Sequence, residues 1–168
     1  MSSHRTTAYL LLGANLGERE LTLERCLERL DELPDVSVIT ASAVYTSPAV
    51  DLEPEAPEFL NQALQVETAL SANELLDVCE ALEREFGRTL KGSLRSRTLD
   101  VDILLFGDSI IDSPRLRIPH PRITERGFAL VPLLELAPGC ADPRTNRLFV
   151  EALTPELRDT VRRLHTHA

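Results

Sequence analysis

The feature that most constrains this chain is a change of hydrophobic period that occurs twice. Residues 8–12 (Ala-Tyr-Leu-Leu-Leu) form a short apolar run closed by Gly13, which reads as a buried strand, and Gly-Ala-Asn-Leu-Gly at 13–17 reads as a strand-to-helix turn. Leu23, Cys26, Leu27, Leu30 and Leu33 then recur at three- and four-residue spacing with charged residues between them, an amphipathic helix stopped near Pro34. Residues 36–45 are rich in β-branched side chains and predict a second strand; residues 59–70 alternate and predict a third. Ser71-Ala-Asn-Glu74 has capping-box spacing, after which Leu75, Val78, Cys79, Leu82 and Phe86 make one helical stripe ending before Gly87. Residues 99–106 complete the pattern as a fourth strand. The order β-α-β-β-α-β predicts an α+β, ferredoxin-like fold, a four-stranded antiparallel sheet with both helices on one face. A C-terminal helical and irregular extension follows, with helix expected over 128–136 and near 156–164. Residues 46–57 carry three prolines and three acids and are expected to be irregular.

A chain of 168 residues can bury one sizeable core, so residues 1–168 are expected to form a single domain. No apolar run reaches the roughly 18 residues needed to cross a bilayer, and the first residues lack the apolar centre of a signal peptide. A cytoplasmic protein with no membrane partner is expected. Cys26, Cys79 and Cys140 are far apart and lack C-x-x-C spacing, which predicts packed thiols rather than a disulfide or zinc site.

The net charge of −9 argues against a nucleic-acid partner, since affinity for a phosphate backbone comes from excess Lys and Arg. That mean hides an asymmetry. Residues 88–97 and 115–126 together carry +7, leaving −16 over the other 146 residues, and 17 of the 18 basic side chains are Arg. Arg grips phosphate through two parallel hydrogen bonds rather than as a point charge, so two Arg segments in an acidic chain point to a compact anionic ligand.

The sharpest chemical feature is Leu99-Asp-Val-Asp-Ile-Leu-Leu-Phe106. Strand alternation puts Asp100 and Asp102 on one face, followed by Leu104 and Phe106. An arbitrary Asp-x-Asp is more often a solvated strand end, but here Arg88, Lys91, Arg95 and Arg97 directly precede it. Carboxylates two residues apart can share Mg²⁺ ions that keep positions for water and substrate phosphate, which suits a metal–nucleotide site. His120 lies in Pro119-His-Pro-Arg122 among Arg115, Arg117, Arg122 and Arg126, a setting that favours neutral imidazole unless an anion is bound. Gly13-x-x-x-Gly17 has neither the Walker A ending nor dinucleotide spacing. No Ser, Cys or Lys shows a nucleophile signature, so direct in-line transfer is favoured over a covalent intermediate. Phe59, Asn61 and Phe128 could hold a flat heterocycle, although ordinary core packing also accounts for the aromatics. A metal-dependent nucleotidyltransferase and a non-catalytic ferredoxin-like ligand-binding module remain alternatives at this level.

Tyr9-Leu-Leu-Leu-Gly-Ala-Asn-Leu-Gly17, Tyr45-Thr-Ser-Pro48, Phe59-Leu-Asn61, Arg97-Thr-Leu-Asp-Val-Asp-Ile-Leu-Leu-Phe-Gly107 and Ile118-Pro-His-Pro-Arg122 with Arg126-Gly-Phe128 resemble, in order and spacing, the 6-hydroxymethyl-7,8-dihydropterin pyrophosphokinases of folate biosynthesis. The likeness runs from about residue 8 to 138. It implies transfer of the β,γ-diphosphate of ATP, the co-substrate, to the hydroxymethyl group of a reduced pterin, with release of AMP. It implies two Mg²⁺ ions on Asp100 and Asp102, and catalytic and triphosphate contacts from Arg88 and Arg97. His120, Arg126 and Glu80 fall at further ATP-binding positions, and Glu83 at a position lining the cleft. Phe59 and Phe128 match the aromatics around the pterin, Asn61 the amide at its edge, and Ser47, Pro48 and Val50 the loop over the ring. The implied partners are two small molecules, and a monomer is expected. The sequence departs from the family pattern in two places. The 87–97 loop is one residue shorter, with Leu94-Arg-Ser-Arg97 where Trp-Gly-Pro-Arg is usual, and Pro121 replaces a common Tyr.

Overall fold

The computed structural model describes residues 4–15, 18–47, 58–86 and 99–164. Strand β1 (Thr6–Ala14), helix α1 (Arg19–Glu32), strands β2 (Val36–Ala41), β3 (Tyr45–Ser47) and β4 (Phe59–Thr68), helix α2 (Ala72–Glu85) and strand β5 (Asp100–Phe106) follow the expected alternation. A short hairpin, β6 (Ile111–Asp112) and β7 (Arg117–Ile118), then leads through a 3-10 turn at Ile123–Glu125 to α3 (Gly127–Leu136). A second 3-10 turn (Phe149–Ala152), α4 (Pro155–Asp159) and strand β8 (Arg162–Arg163) complete the described chain. The main sheet has the order β5-β1-β4-β3-β8, with β2 also on β4, and every ladder is antiparallel. This is the ferredoxin-like arrangement. The most apolar strand, β1, is central because only there can Leu10 and Leu12 on one side and Leu11 on the other all be buried. No helix among the described residues is long and apolar enough to cross a membrane.

Helices α1 and α2 cover one face of the sheet. Leu23, Cys26 and Leu30 of α1 and Leu75, Cys79 and Leu82 of α2 pack on Leu10, Leu12, Leu64, Val66, Val101 and Ile103. The capping box of α2 is formed in both directions: Glu74 N–H donates to Ser71 Oγ at 3.2 Å, and Ser71 N–H donates to the Glu74 carboxylate at 2.9 Å. Cys26 and Cys79 are buried free thiols and Cys140 is half-buried. The opposite face is covered by α3, whose Ala129, Leu130, Leu133 and Leu134 meet Leu11, Leu104, Leu105 and Phe149. Apart from Glu135, which is exposed and accepts from Ala43 N–H and the Tyr45 hydroxyl, α3 is apolar because it lies between the sheet and the C-terminal residues.

Three local expectations are corrected. Residues 36–45 are not one strand. The β2–β4 register shifts between Val38 and Thr40, and at Ser42 the side chain accepts from Ala63 N–H at 2.9 Å and donates to Ala43 O, so the chain restarts as β3. Thr46 and Ser47, expected in irregular chain, belong to that strand. Phe106 does not share a face with Asp100 and Asp102. The β1–β5 register shifts at Tyr9/Leu10, and an irregularity of this kind reverses the alternation, so Leu104 stays on the α3 side while Phe106 joins the α1/α2 core. Finally, 156–164 is not a continuous helix: α4 ends at Asp159, and Arg162 and Arg163 pair with Thr46 and Tyr45.

Candidate active site

On the α3 side, the apolar packing stops short of the sheet edge formed by the N-terminal ends of β4 and β5 and the C-terminal end of β1. A cavity of about 560 Å³ opens there, a size usual for small-molecule sites. Register explains its walls. Gly13 pairs with Asp100 on one side and Asn61 on the other, and Asn61 pairs with Tyr45, so acid, glycine and amide lie in one row across the sheet. Two residues further in, Leu11 pairs with Asp102. Asp100, Asp102, Gly13 and Asn61 all line the cavity, with Phe59 beside Asn61. A Cβ added to Gly13 would sit 3.5 Å from Asn61 Oδ1 and 3.7 Å from the Phe59 ring, ordinary contact distances, so the glycine keeps this floor open rather than relieving a clash.

Asn61 is buried, and its Nδ2 donates to Ser47 Oγ at 2.7 Å. That bond fixes the amide, leaving Oδ1 as the acceptor on the Gly13 side. Ser47 also lines the cavity. From the other wall come Arg122, Glu125, Arg126, Gly127 and Phe128, carried by the 3-10 turn and the start of α3. The Arg126 guanidinium carbon lies 5.3 Å from the Phe128 ring centroid, within cation–π range.

The basic residues of 115–126 divide into two groups. Arg115 reaches back to α2, where it donates to Asp77 and, at 2.9 Å, to Glu80. Arg117 lies 3.4 Å from Asp112 in the β6–β7 hairpin. Both are exposed ion pairs away from the cavity, which, of these arginines, Arg122 and Arg126 reach. Glu80, placed by the resemblance among ATP contacts, does not line the cavity. Glu83 does not line it either: it is buried, and its carboxylate accepts from Val101 N–H at 2.9 Å, tying α2 to the residue between Asp100 and Asp102.

His120 is half-buried behind this wall and is not among the residues lining the cavity. Its backbone N–H donates to Leu104 O at 3.0 Å, and its Nδ1 accepts from Arg122 N–H at 3.2 Å. An accepting Nδ1 requires the proton of neutral imidazole on Nε2. Burial first, then the charges of Arg126 and Arg122, hold its pKa below the usual imidazole value.

Of the residues singled out in the sequence, Ser47, Phe59, Asn61, Asp100, Asp102, Arg126 and Phe128 therefore converge on one cavity. Pro48, Val50, Arg88 and Arg97 lie outside the described residues. Sequence reasoning missed Leu157 and Thr160, which line the cavity from the C-terminal chain. Nothing in their local pattern signals a site, because they reach it only through tertiary packing.

The family described as 7,8-dihydro-6-hydroxymethylpterin-pyrophosphokinase matches residues 9–138. Over 129 residues the chain is 40% identical to the 2-amino-4-hydroxy-6-hydroxymethyldihydropteridine pyrophosphokinase of Bacillus subtilis (strain 168), covering 77% of each chain. Over 153 residues it is 37% identical to the protein of the same name from Haemophilus influenzae, covering 91% of this chain and 94% of the relative. Among solved structures, wild-type Plasmodium falciparum HPPK-DHPS with pterin and p-hydroxybenzoate superposes with a TM-score of 0.75 over 99% of this chain at 15% identity. This chain spans 46% of that one, about half its length, and at such identity the likeness concerns the fold.

Proposed function

The chain belongs to the 7,8-dihydro-6-hydroxymethylpterin-pyrophosphokinase family, ATP-dependent enzymes of folate biosynthesis, and from that premise we propose how its cavity performs the transfer. The substrate oxygen is that of the hydroxymethyl group of 6-hydroxymethyl-7,8-dihydropterin. It attacks the β-phosphorus of ATP in line, the bond from that phosphorus to the oxygen bridging to the α-phosphate breaks, and the hydroxyl proton is lost. The products are the pterin diphosphate and AMP. The observation that carries this reading is the row across the sheet edge, which sets an acid pair, an open glycine and a fixed amide in one cavity.

Asp100 and Asp102 are an all-oxygen donor pair, and no cluster of three or more His, Cys, Asp or Glu able to hold a metal occurs among the described residues. Two carboxylates with room for water and phosphate oxygens suit Mg²⁺, and we assign two ions to this pair. When bound, they supply charge to the phosphoryl oxygens of the transferring group. Arg122 and Arg126 face the same space and add charge-assisted hydrogen bonds where negative charge is redistributed; Arg88 and Arg97 are assigned the same work from the resemblance. His120, whose Nδ1 accepts from Arg122 N–H, is assigned a phosphate contact from the resemblance alone, since it stands behind the cavity wall rather than in it. Phe59 and Phe128 take the two sides of the pterin ring, Asn61 Oδ1 accepts from its N–H edge, and Ser47 holds Asn61 in place, with Pro48 and Val50 assigned to the covering loop. We further propose that residues 1–168 act as one domain, as a monomer in the cytoplasm, on these two small molecules and without nucleic acid or membrane.

The test is ³¹P NMR of the protein with Mg²⁺, ATP and 6-hydroxymethyl-7,8-dihydropterin. AMP and a pterin-linked diphosphate appearing in equal amounts are expected. Inorganic pyrophosphate with a nucleotidylated pterin would instead mean nucleotidyl transfer, and unchanged ATP from folded protein would mean binding without catalysis.

A further inference from the structure

We propose that residues 154–164, which lie beyond the family match, form a strap that completes the wall of the pterin subsite, with Leu157 and Thr160 as specificity-determining residues. This rests on the pterin assignment above. The strap is closed on itself at one end and tied to the sheet at the other. At one, Thr154 caps α4 by accepting from Leu157 N–H at 3.2 Å, and Thr160 Oγ1 donates to Leu157 O at 2.6 Å, which closes the turn. At the other, Arg162 and Arg163 pair with Thr46 and Tyr45 of β3, and Leu164 N–H donates to Val44 O at 2.8 Å.

Between these ends the strap presses on Gly127. A Cβ there would lie 2.2 Å from Leu157 O and 2.6 Å from Thr160 Oγ1, so only glycine permits this approach. Gly127 is the residue before Phe128, and β3 ends at Ser47, the partner of Asn61. The strap thus touches α3, which carries Phe128, and β3, whose Ser47 fixes the Asn61 amide on β4, and Leu157 and Thr160 themselves line the cavity. Asp100 and Asp102 come from β5, which β1 and β4 separate from the strap, so the strap adjoins the nucleotide end only through Arg126, the neighbour of Gly127.

The expected result is therefore a split between ligands. The probes are 6-hydroxymethylpterin, followed by its own fluorescence, and Mg²⁺ with a non-hydrolysable ATP analogue, followed by calorimetry. Gly127→Ala, which displaces the strap without deleting any of it, should weaken the pterin about tenfold or more, because small misplacements of binding groups are costly, and weaken the ATP analogue, reached only through Arg126, by no more than about threefold. Leu164→Pro removes the N–H given to Val44 at the far end and should produce a smaller change in the same direction. It remains informative if Gly127→Ala does not fold. Unchanged pterin affinity in a folded variant, or equal weakening of both ligands, would overturn the strap's role. Failure of the wild-type protein to bind the pterin would instead overturn the assignment on which it rests.

Discussion

The two faces of the sheet are built from alternate residues of the same strands, yet one is closed and the other is a site. Toward α1 and α2, Leu10, Leu12, Val101 and Ile103 meet two helices whose leucines fill the space between them. Toward α3, Leu11 and Leu104 begin the same kind of packing, but the next positions along the strands are Gly13, Asp100 and Asp102, and the core ends in a cavity. The difference teaches that the site costs little rearrangement of the fold. It needs one helix that stops short of the sheet edge and a few polar residues in place of apolar ones.

The largest effect that would break this contrast is on the open face. Asp102→Ala should lower the rate by at least about a thousandfold, since on the proposed mechanism this carboxylate would hold Mg²⁺ and its loss would remove charge stabilisation from the transfer step, while the melting temperature stays near wild type. A steady-state assay beside a thermal melt checks both halves. On the closed face the outcome should invert. Leu75→Ala, at a fully buried position of α2, should cost about 2–5 kcal/mol in urea unfolding and leave the rate per folded molecule unchanged.

Glu83 sharpens the comparison because it sits on the closed face but holds the strand residue between the two aspartates. Glu83→Ala should cost about 1–3 kcal/mol by leaving Val101 N–H without that acceptor, and should raise the Mg²⁺ concentration needed for half-maximal rate. Titrating Mg²⁺ in the variant separates this from a purely structural loss.

The smallest effect is the pH dependence from His120. Its folded pKa lies below the unfolded value of about 6.5, so the native state binds fewer protons than the unfolded chain between the two values. Stability should therefore fall as pH drops through that window and be level above it. Melting curves from pH 7.5 to 5 should show a component that His120→Asn lacks. A nucleotide triphosphate bound nearby would lift the pKa and shrink that component.

Much of this was legible in the chain because period and spacing are local properties. The α2 capping box, the α1 and α2 stripes and the side-by-side aspartates follow from rules that need only neighbouring residues. Alternation alone puts Phe106 on the wrong face because it assumes an unbroken ladder, and the register shift at Tyr9/Leu10 is a property of two strands together. Arg115 and Arg117 looked equivalent to Arg122 and Arg126, yet their direction depends on Asp77, Glu80 and Asp112, which are distant or unremarkable in sequence. Leu157 and Thr160 carry no local signature at all. Gly127 was the one available hint, a glycine opening a helix, where the reason for glycine is the backbone of a segment about thirty residues later.

The central claim is that the open face of the sheet holds both substrates around Asp100 and Asp102, and a crystal structure with Mg²⁺, a non-hydrolysable ATP analogue and the pterin tests it most directly. The account predicts the pterin ring between Phe59 and Phe128 with its edge on Asn61. It also predicts metal density about 2.1 Å from oxygens of both aspartates, the distance Mg²⁺ demands. A ring bound elsewhere, or metal density on the phosphates with neither aspartate coordinated, would contradict it.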